Sequence, residues 1–414
     1  MKFGLITIGS QGDVEPFIAL GNKLRSRGHQ VRITTFRKFE QYIVSEGFEY
    51  SPLAGDAVEV IRLLIGEHVS SFEYFRNLEK LLDPVKKEFL SDIEYACTGV
   101  DVVLYSLLGS VAWHVLEKKN IPCFRVSFCP IDPTGEFPAM SAPDLPLGSL
   151  YNRFTFACGD LLWANFTRRM LNSWRKEMGL KEIQALRFPY RSMHGRPLPT
   201  LYAYSTLVAP KPREWDENKY VTGYWIRGIK DNWKPDKELT NFLNEGPKPV
   251  YIGFGSAVGG SFEQAFDIVM QSLKLTKVRA VLSSGWGNLK GYNLPDSVLQ
   301  IGNVPHEWLF RNVSAVIHHG GAGTTAAGLR AGVPTIIVPF GGDQPYWGNC
   351  IDKLGVGPKP ILRRQLNVER LSDAITGACN NPGMIAAADK LGQQLRREDG
   401  AENAVSIMER IVCK

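Results

Sequence analysis

The sequence predicts an α/β protein built from two doubly wound domains, each with a largely parallel sheet. Three observations lead there. The chain has 414 residues, more than the roughly 100–200 of one domain. Short apolar runs alternate with helix-length amphipathic stretches, the pattern of βαβ units. The alternation comes in two sets, parted by a stretch at 210–235 rich in Pro, Gly and charge, a boundary composition.

In the first set, Phe3–Ile8 reads as a strand and Pro16–Arg27 as a helix closed by Gly28; Val31–Thr35, Val102–Ser106 and Pro122–Phe128 read as further strands. The second set starts with a strand at Pro249–Phe254 and a helix near Phe262–Leu273. Strands at Ala280–Ser283, Val298–Ile301, Val313–His318 and Val333–Pro339 follow, with a helix at Thr325–Arg330 ahead of the last. Between the sets, Phe154, Cys158, Leu162, Phe166, Met170, Trp174 and Met178 recur every four residues, which predicts a long helix with a wide apolar face. That face either packs on the first sheet or walls a lipophilic pocket.

Composition excludes several classes. Hydrophobic residues make up 44% and charged residues 22%, the balance of a globular protein and not of a disordered one. There are 48 Lys+Arg against 42 Asp+Glu, a net charge of +6 without a basic cluster of the kind a nucleic-acid binder shows. Seven Cys, an odd number with no CxxC pair, argue for reduced thiols and a cytoplasmic setting. The opening Met1–Gly9 lacks the pattern of a signal peptide. The most apolar run, Val102–Trp113, falls short of the roughly 20 residues of a bilayer span. The charge still suits peripheral contact with an anionic membrane surface.

The strongest chemical signal is His318-His319-Gly320-Gly321-Ala322-Gly323-Thr324-Thr325, between a predicted strand and a predicted helix. Glycines let backbone approach a ligand. A helix N-terminus offers unpaired N–H groups to a phosphate, and His319 and the Thr324 hydroxyl add side-chain donors. Gly321–Ala326 also fits the dinucleotide pattern GxGxxA, with Asp343 about 20 residues on. It does not follow the first strand of either domain, however, and Asp343 is joined to Gln344, a pairing suited to several sugar hydroxyls. No Asp-x-Asp occurs and the His pair has no partners at ligand spacing, so no metal is expected.

The loop Gly9-Ser10-Gln11-Gly12-Asp13-Val14-Glu15-Pro16 follows the first strand, where doubly wound sheets bind ligands. Asp13 fits two roles equally, general base and helix cap. Ser256, in Gly253-Phe254-Gly255-Ser256, suits a second phosphate contact or a tight turn. Val304 and Pro305 form an extended segment able to meet a flat base. Trp286 suits either stacking on that base or an ordinary core position.

Together these residues resemble the inverting, nucleotide-sugar-dependent family 1 glycosyltransferases. His319–Thr324 through Asp343-Gln344 is similar to their donor signature, and Gly9–Pro16 to the N-terminal loop of the sterol glucosyltransferases and the vancomycin-type antibiotic glycosyltransferases. The sterol branch is the closer match. Its likeness extends through Trp174-Arg175, Leu201–Ser205, Val221–Trp225, Pro249–Ser256 and Pro345–Gly348. The resemblance implies the GT-B fold: two Rossmann-like domains facing across a cleft, an acceptor domain at 1–209, a linker at 210–235, a donor domain at 236–395 and a C-terminal helix at 396–414 crossing back. It implies Asp13 as catalytic base on an acceptor loop with Ser10 and Gly12. It assigns Ser256, His319, Gly321, Gly323 and Thr324 to the diphosphate, Asp343 and Gln344 to the sugar, and Val304 and Pro305 to uracil, with Trp286 a stacking candidate. The implied reaction is transfer of glucose from UDP-glucose, a co-substrate, to a lipophilic hydroxylated acceptor, without cofactor or metal. Alternatives are a natural-product glycosyltransferase of the same fold, an epimerase or hydrolase acting on the nucleotide sugar, and a non-catalytic nucleotide-sugar binding protein. Gln11 stands where Arg is commoner in the family loop, and the membrane-targeting modules of the fungal sterol enzymes are not seen.

Overall fold

The computed structural model describes residues 1–56, 76–77, 79–80, 83–140, 142–184, 188–229, 233–254, 262–283 and 293–413. The chain divides into two compact units. One comprises Met1–Thr206, Pro210–Arg227 and Asp399–Lys414; the other comprises Leu207–Ala209 and Gly228–Glu398.

The first unit is organised by a seven-stranded sheet of β1 (Lys2–Ile6), β2 (Gln30–Phe36), β3 (Glu49–Leu53), β4 (Val102–Tyr105), β5 (Cys123–Ser127), β8 (Thr200–Tyr202) and β9 (Lys219–Val221). Their order is β3-β2-β1-β4-β5-β8-β9, and every pairing is parallel. β6 (Ser192–Met193) and β7 (Arg196–Pro197) form a separate antiparallel pair. β1 sits between β2 and β4, so the order of strands reverses there, the point at which such sheets bind ligands. Phe3, Leu5, Ile33, Val103 and Leu104 are fully buried, as a sheet covered on both faces requires.

The helix after β1 spans Gln11–Ser26 and starts five residues ahead of the Pro16 that the sequence suggests. A capping box supplies the earlier start: the Ser10 hydroxyl accepts the Gly12 amide at 3.2 Å, and the Asp13 carboxylate accepts the Ser10 amide at 2.7 Å. The helix then carries Pro16 within it. The stretch 210–235 is divided: Pro210–Arg227 belongs to the first unit and supplies the edge strand β9. Aromatic packing holds it there, with Trp215 stacked on Tyr202 at 4.4 Å.

The long helix covers Gly148–Glu177. Phe166, Met170, Trp174 and Met178 of the apolar series join the first unit's core, whereas Phe154 is 65% exposed. The C-terminal helix, Gly400–Val412, packs along Gln11–Ser26 by burying Ala401, Ala404, Val405 and Met408. Lys23 and Arg27 reach Asp399, Glu402 and Glu409 across that contact.

The second unit has a five-stranded, all-parallel sheet of β10 (Val250–Gly253), β11 (Ala280–Ser283), β12 (Val298–Ile301), β13 (Ala315–His318) and β14 (Thr335–Ile337), ordered β12-β11-β10-β13-β14. Its strands alternate between two cores. Val250, Ile252, Ala315 and Ile317 face one cluster and Tyr251 and Val316 the other, the period of two that a sheet imposes. Its reversal point lies between β10 and β13. Among the described residues no helix is long and apolar enough to cross a membrane.

Candidate active site

The described site residues predicted from sequence divide between the two units: Ser10, Gly12 and Asp13 lie at the reversal point of the first sheet, and the others follow β12, β13 and β14 of the second. In the first unit, Ser10, Gly12 and Asp13 lie at the start of the helix that follows β1. The Ile8 amide donates to Ser106 Oγ at 3.3 Å, which ties the loop after β1 to the loop after β4. Thr7 Oγ1 donates to the Asp13 carbonyl at 2.9 Å. Asp13 Oδ2 accepts both the Ser10 amide, at 2.7 Å, and the Ser10 hydroxyl, at 2.9 Å. Asp13 is therefore a helix-capping residue by geometry, and the capping bonds use Oδ2 alone. Burial pushes its carboxyl above the ordinary range, against the pull of the Ser10 hydrogen bonds. Gly9 makes this arrangement feasible: at φ +151° it adopts a conformation that residues with a Cβ rarely take.

Sequence reasoning did not single out the residues beyond β4 and β5. Tyr105, Ser106, Ser110, Arg125, Trp163, Phe188 and Tyr190 are among those lining a narrow, mainly apolar pocket there. Trp163 comes from the long helix, between Leu162 and Phe166 of the four-residue series, so that helix lends one wall as well as core. The buried hydroxyl of Ser110 has no hydrogen-bond partner among the described residues, and that of Tyr105 meets the Cys123 thiol. The strand around Tyr105 was visible in the sequence; that it shares a pocket with Trp163, 58 positions on, was not.

In the second unit, the helix after β13 spans Ala322–Ala331, three residues earlier than the sequence suggests, with Gly321 as its N-cap. Its first amide with a backbone partner is that of Thr325, bound to the Gly321 carbonyl at 2.9 Å. The preceding amides of the turn belong to the donors that a helix start leaves open. Gly321, Ala322 and Thr324 are half-buried and Gly323 is exposed, so the N-terminus is open to a ligand. His319 flanks it. Burial lowers its pKa to about 4, opposed by a hydrogen bond with the Gly253 backbone. The ring is therefore neutral at physiological pH, and its buried Nδ1 has no partner among the described residues.

The loop after β14 lies against this turn: a Cβ on Gly320 would come within 3.2 Å of the Gln344 Cβ. Gln344 Oε1 accepts the amides of Phe340, at 2.7 Å, and Gly341, at 3.2 Å. These bonds fix the amide's orientation. Asp343 Oδ2 accepts the Trp347 indole N–H at 2.8 Å. Val304 packs half-buried beside the second core cluster. Pro305 caps the short helix His306–Leu309 and accepts the amides of Trp308 and Leu309. His306 sits over Phe310 with ring centroids 4.5 Å apart and meets the Tyr251 hydroxyl at 3.3 Å. Ser256 and Trp286 lie outside the described residues. No cluster of His, Cys, Asp and Glu able to hold a metal ion occurs among the described residues.

The model of the glycosyltransferase family 28 N-terminal domain matches residues 3–138. That of the erythromycin biosynthesis protein CIII-like C-terminal domain matches residues 286–409. A sterol 3-beta-glucosyltransferase of Yarrowia lipolytica is 37% identical over 425 residues, covering 99% of this chain and 29% of that protein. One of Penicillium rubens is 35% identical over 424 residues, covering 99% and 30%. The chain thus spans about three-tenths of the length of the curated relatives it matches. Among solved structures, the glycosyltransferase of kitacinnamycin superposes with a TM-score of 0.71 at 19% identity, covering 99% of this chain and 98% of that one. The calicheamicin glycosyltransferase CalG4 gives 0.71 at 16%, covering 100% and 98%. The glycosyltransferase VinC, solved in complex with DTDP, gives 0.68 at 17%, covering 100% and 99%.

Proposed function

Because this chain belongs, through both of its matched domains, to the family 1 glycosyltransferases of GT-B fold, we propose that it transfers glucose from UDP-glucose to the hydroxyl of a sterol or sterol-like acceptor. The observation that carries the reading is the pairing of two chemistries at two sheet reversal points. One is a carboxylate with a raised pKa whose two Ser10 bonds both fall on Oδ2. The other is an open helix N-terminus flanked by a neutral imidazole. The names of the relatives at 35–37% identity support glucose and the sterol class.

In this mechanism Asp13 Oδ1 accepts the acceptor's hydroxyl proton while the oxygen attacks the anomeric carbon. A carboxylate is a weak base for an alcohol, so proton transfer accompanies attack. The new C–O bond forms as the bond from the anomeric carbon to the diphosphate oxygen breaks, and UDP leaves from the opposite face. Inversion of an α-linked donor gives a β-glycoside. The negative charge growing on the diphosphate meets the amides of Gly321–Thr324 and the helix N-terminus, with His319, whose ring is held beside the turn by its hydrogen bond with the Gly253 backbone, and Ser256 as further candidate contacts. Asp343 and the Gln344 amide orient the sugar. Val304 and Pro305 offer a surface for uracil, and Trp286 a stacking partner. In this reading no metal is needed, since the helix end and its open amides meet the charge that a cation would otherwise meet.

The test is mass-spectrometric detection of glucoside from UDP-glucose, with TDP-glucose alongside, over a panel of sterols and other hydroxylated lipophiles. Asp13→Asn is run beside the parent. A sterol glucoside whose yield falls by about 10²–10⁴-fold in the variant, with UDP binding retained, is the expected result. Undiminished turnover by Asp13→Asn would remove the base assignment. UDP binding without transfer to any acceptor would favour a nucleotide-sugar binding protein instead.

A further inference from the structure

His318 precedes the phosphate-side histidine, and its chemistry is not used by the mechanism above. It closes β13 and is fully buried. Its Nδ1 accepts the amide of Gly320 at 2.9 Å. An imidazole nitrogen that accepts cannot carry a proton, so the proton sits on Nε2. Burial first, then the neighbouring His319 and His306 rings, hold the pKa of His318 well below its usual value and keep that tautomer neutral. Nε2 is buried with no partner among the described residues. A buried donor left unpaired costs stability, and an apolar side chain at this core position would avoid that cost. What the ring supplies in return is the Nδ1 acceptor.

The amide it holds belongs to the residue on which the loop turns. Gly320 has φ +95°, and a Cβ there would come within 2.7 Å of Ile337 Cγ2. With its N–H drawn back toward its own strand, the chain reverses tightly, and Gly321 caps the ten-residue helix whose first amides stay open. Without that bond the Gly320 peptide is free to rotate, as glycine allows, and the amides beyond it lose their common aim.

We propose that His318 is a positioning residue: its Nδ1 pins the Gly320 amide and so pre-organises the amides of the Gly321–Thr324 turn for the donor diphosphate. The inference rests on the donor assignment made above and concerns donor affinity alone, so it requires no knowledge of the acceptor.

Three forms of the full chain test it: the parent, His318→Leu and His318→Asn. Leu keeps an apolar core but offers no acceptor. Asn places an amide oxygen near the position of Nδ1 and restores one. The readouts are UDP affinity by calorimetry, KM for UDP-glucose against kcat, and hydrogen exchange at Gly320. Leu is expected to weaken UDP binding and raise donor KM about tenfold, the scale of one hydrogen bond that sets a binding geometry, and to speed Gly320 exchange. Asn is expected to recover both to within about threefold. Leu and Asn impaired alike, or Leu binding UDP as tightly as the parent, would overturn the proposal. Failure of the parent itself to bind UDP would instead bring down the donor assignment, whereas slow Gly320 exchange in His318→Leu with parental UDP binding strikes the brace alone.

Discussion

Gly9→Ala tests the placement of Asp13, the proposed catalytic carboxylate, without touching its chemistry. A Cβ at Gly9 would lie 2.2 Å from Asp13 Oδ2 and 2.6 Å from its Cγ, where contacts below 3.0 Å are essentially never seen. The carboxylate must therefore retreat by about 1 Å or the loop must shift, and either change disturbs the two Ser10 hydrogen bonds. A misplacement of about 1 Å costs about 10²-fold in rate. Alanine at φ +151° adds backbone strain of about 1–3 kcal/mol, a tolerable fraction of the roughly 5–15 kcal/mol of a typical domain. The expected result is a loss of kcat/KM of about 100-fold, measured by glucoside formation, with the circular-dichroism spectrum unchanged. UDP affinity should also be unchanged, since the residues proposed to hold the donor belong to the other unit. Turnover within about threefold of the parent in a folded Gly9→Ala protein would show that the reaction does not depend on where this carboxylate sits, and the base assignment would fall with it.

Two further expectations concern ionisation. Burial raises the Asp13 pKa, and a base works only when ionised. The acid limb of the kcat/KM–pH profile should thus lie above the ordinary Asp range near 3.9, with activity rising as pH rises; a flat profile down to pH 4 would contradict it. On stability the same carboxyl acts in the opposite sense, its contribution being present at low pH and lost as pH rises through its folded pKa. Asp132 is wholly buried, 3.0 Å from both Arg125 and Arg191 and 2.6 Å from the Tyr202 hydroxyl. Burial would raise its pKa, but the two guanidinium groups outweigh that and hold it at about 2. Asp132→Asn leaves Arg125 buried without its counter-charge and should cost about 3–5 kcal/mol in urea unfolding. The stabilisation by Asp132 is present above its unfolded pKa and is lost as pH falls through about 2, so an unchanged urea midpoint at pH 7 would refute this account.

Local patterns carried much of this protein. Alternating apolar runs and amphipathic stretches specify parallel βαβ units because strand and helix periods are written into neighbouring residues. The Gly-rich turn after His319 announces a helix start facing a ligand, since glycine there answers a backbone requirement present in any context. Asp13, Asp343 and Gln344 stand out by residue type and position after strands. The same local reading mistook two helix starts. Pro16 looks like a beginning, yet the reciprocal Ser10–Asp13 bonds begin the helix at Gln11, and Ala322 rather than Thr325 opens the donor helix. The Pro- and Gly-rich composition near 210–235 also conceals an edge strand that Trp215 helps to hold.

Other properties came only from contacts between distant residues. Strand order puts β4 beside β1 although about a hundred residues separate their sequences, and that adjacency sets the loop of Asp13 at the reversal point of the sheet. The pairing of Ile8 with Ser106 follows from it, and the pocket beyond Tyr105 likewise joins residues far apart in sequence. Asp13 titrates high, and His318 and His319 low, because surrounding chain removes water from them. Sequence sets which groups are available and what local geometry they favour. Desolvation and long-range adjacency depend on what the rest of the chain brings close, and only the folded structure decides that.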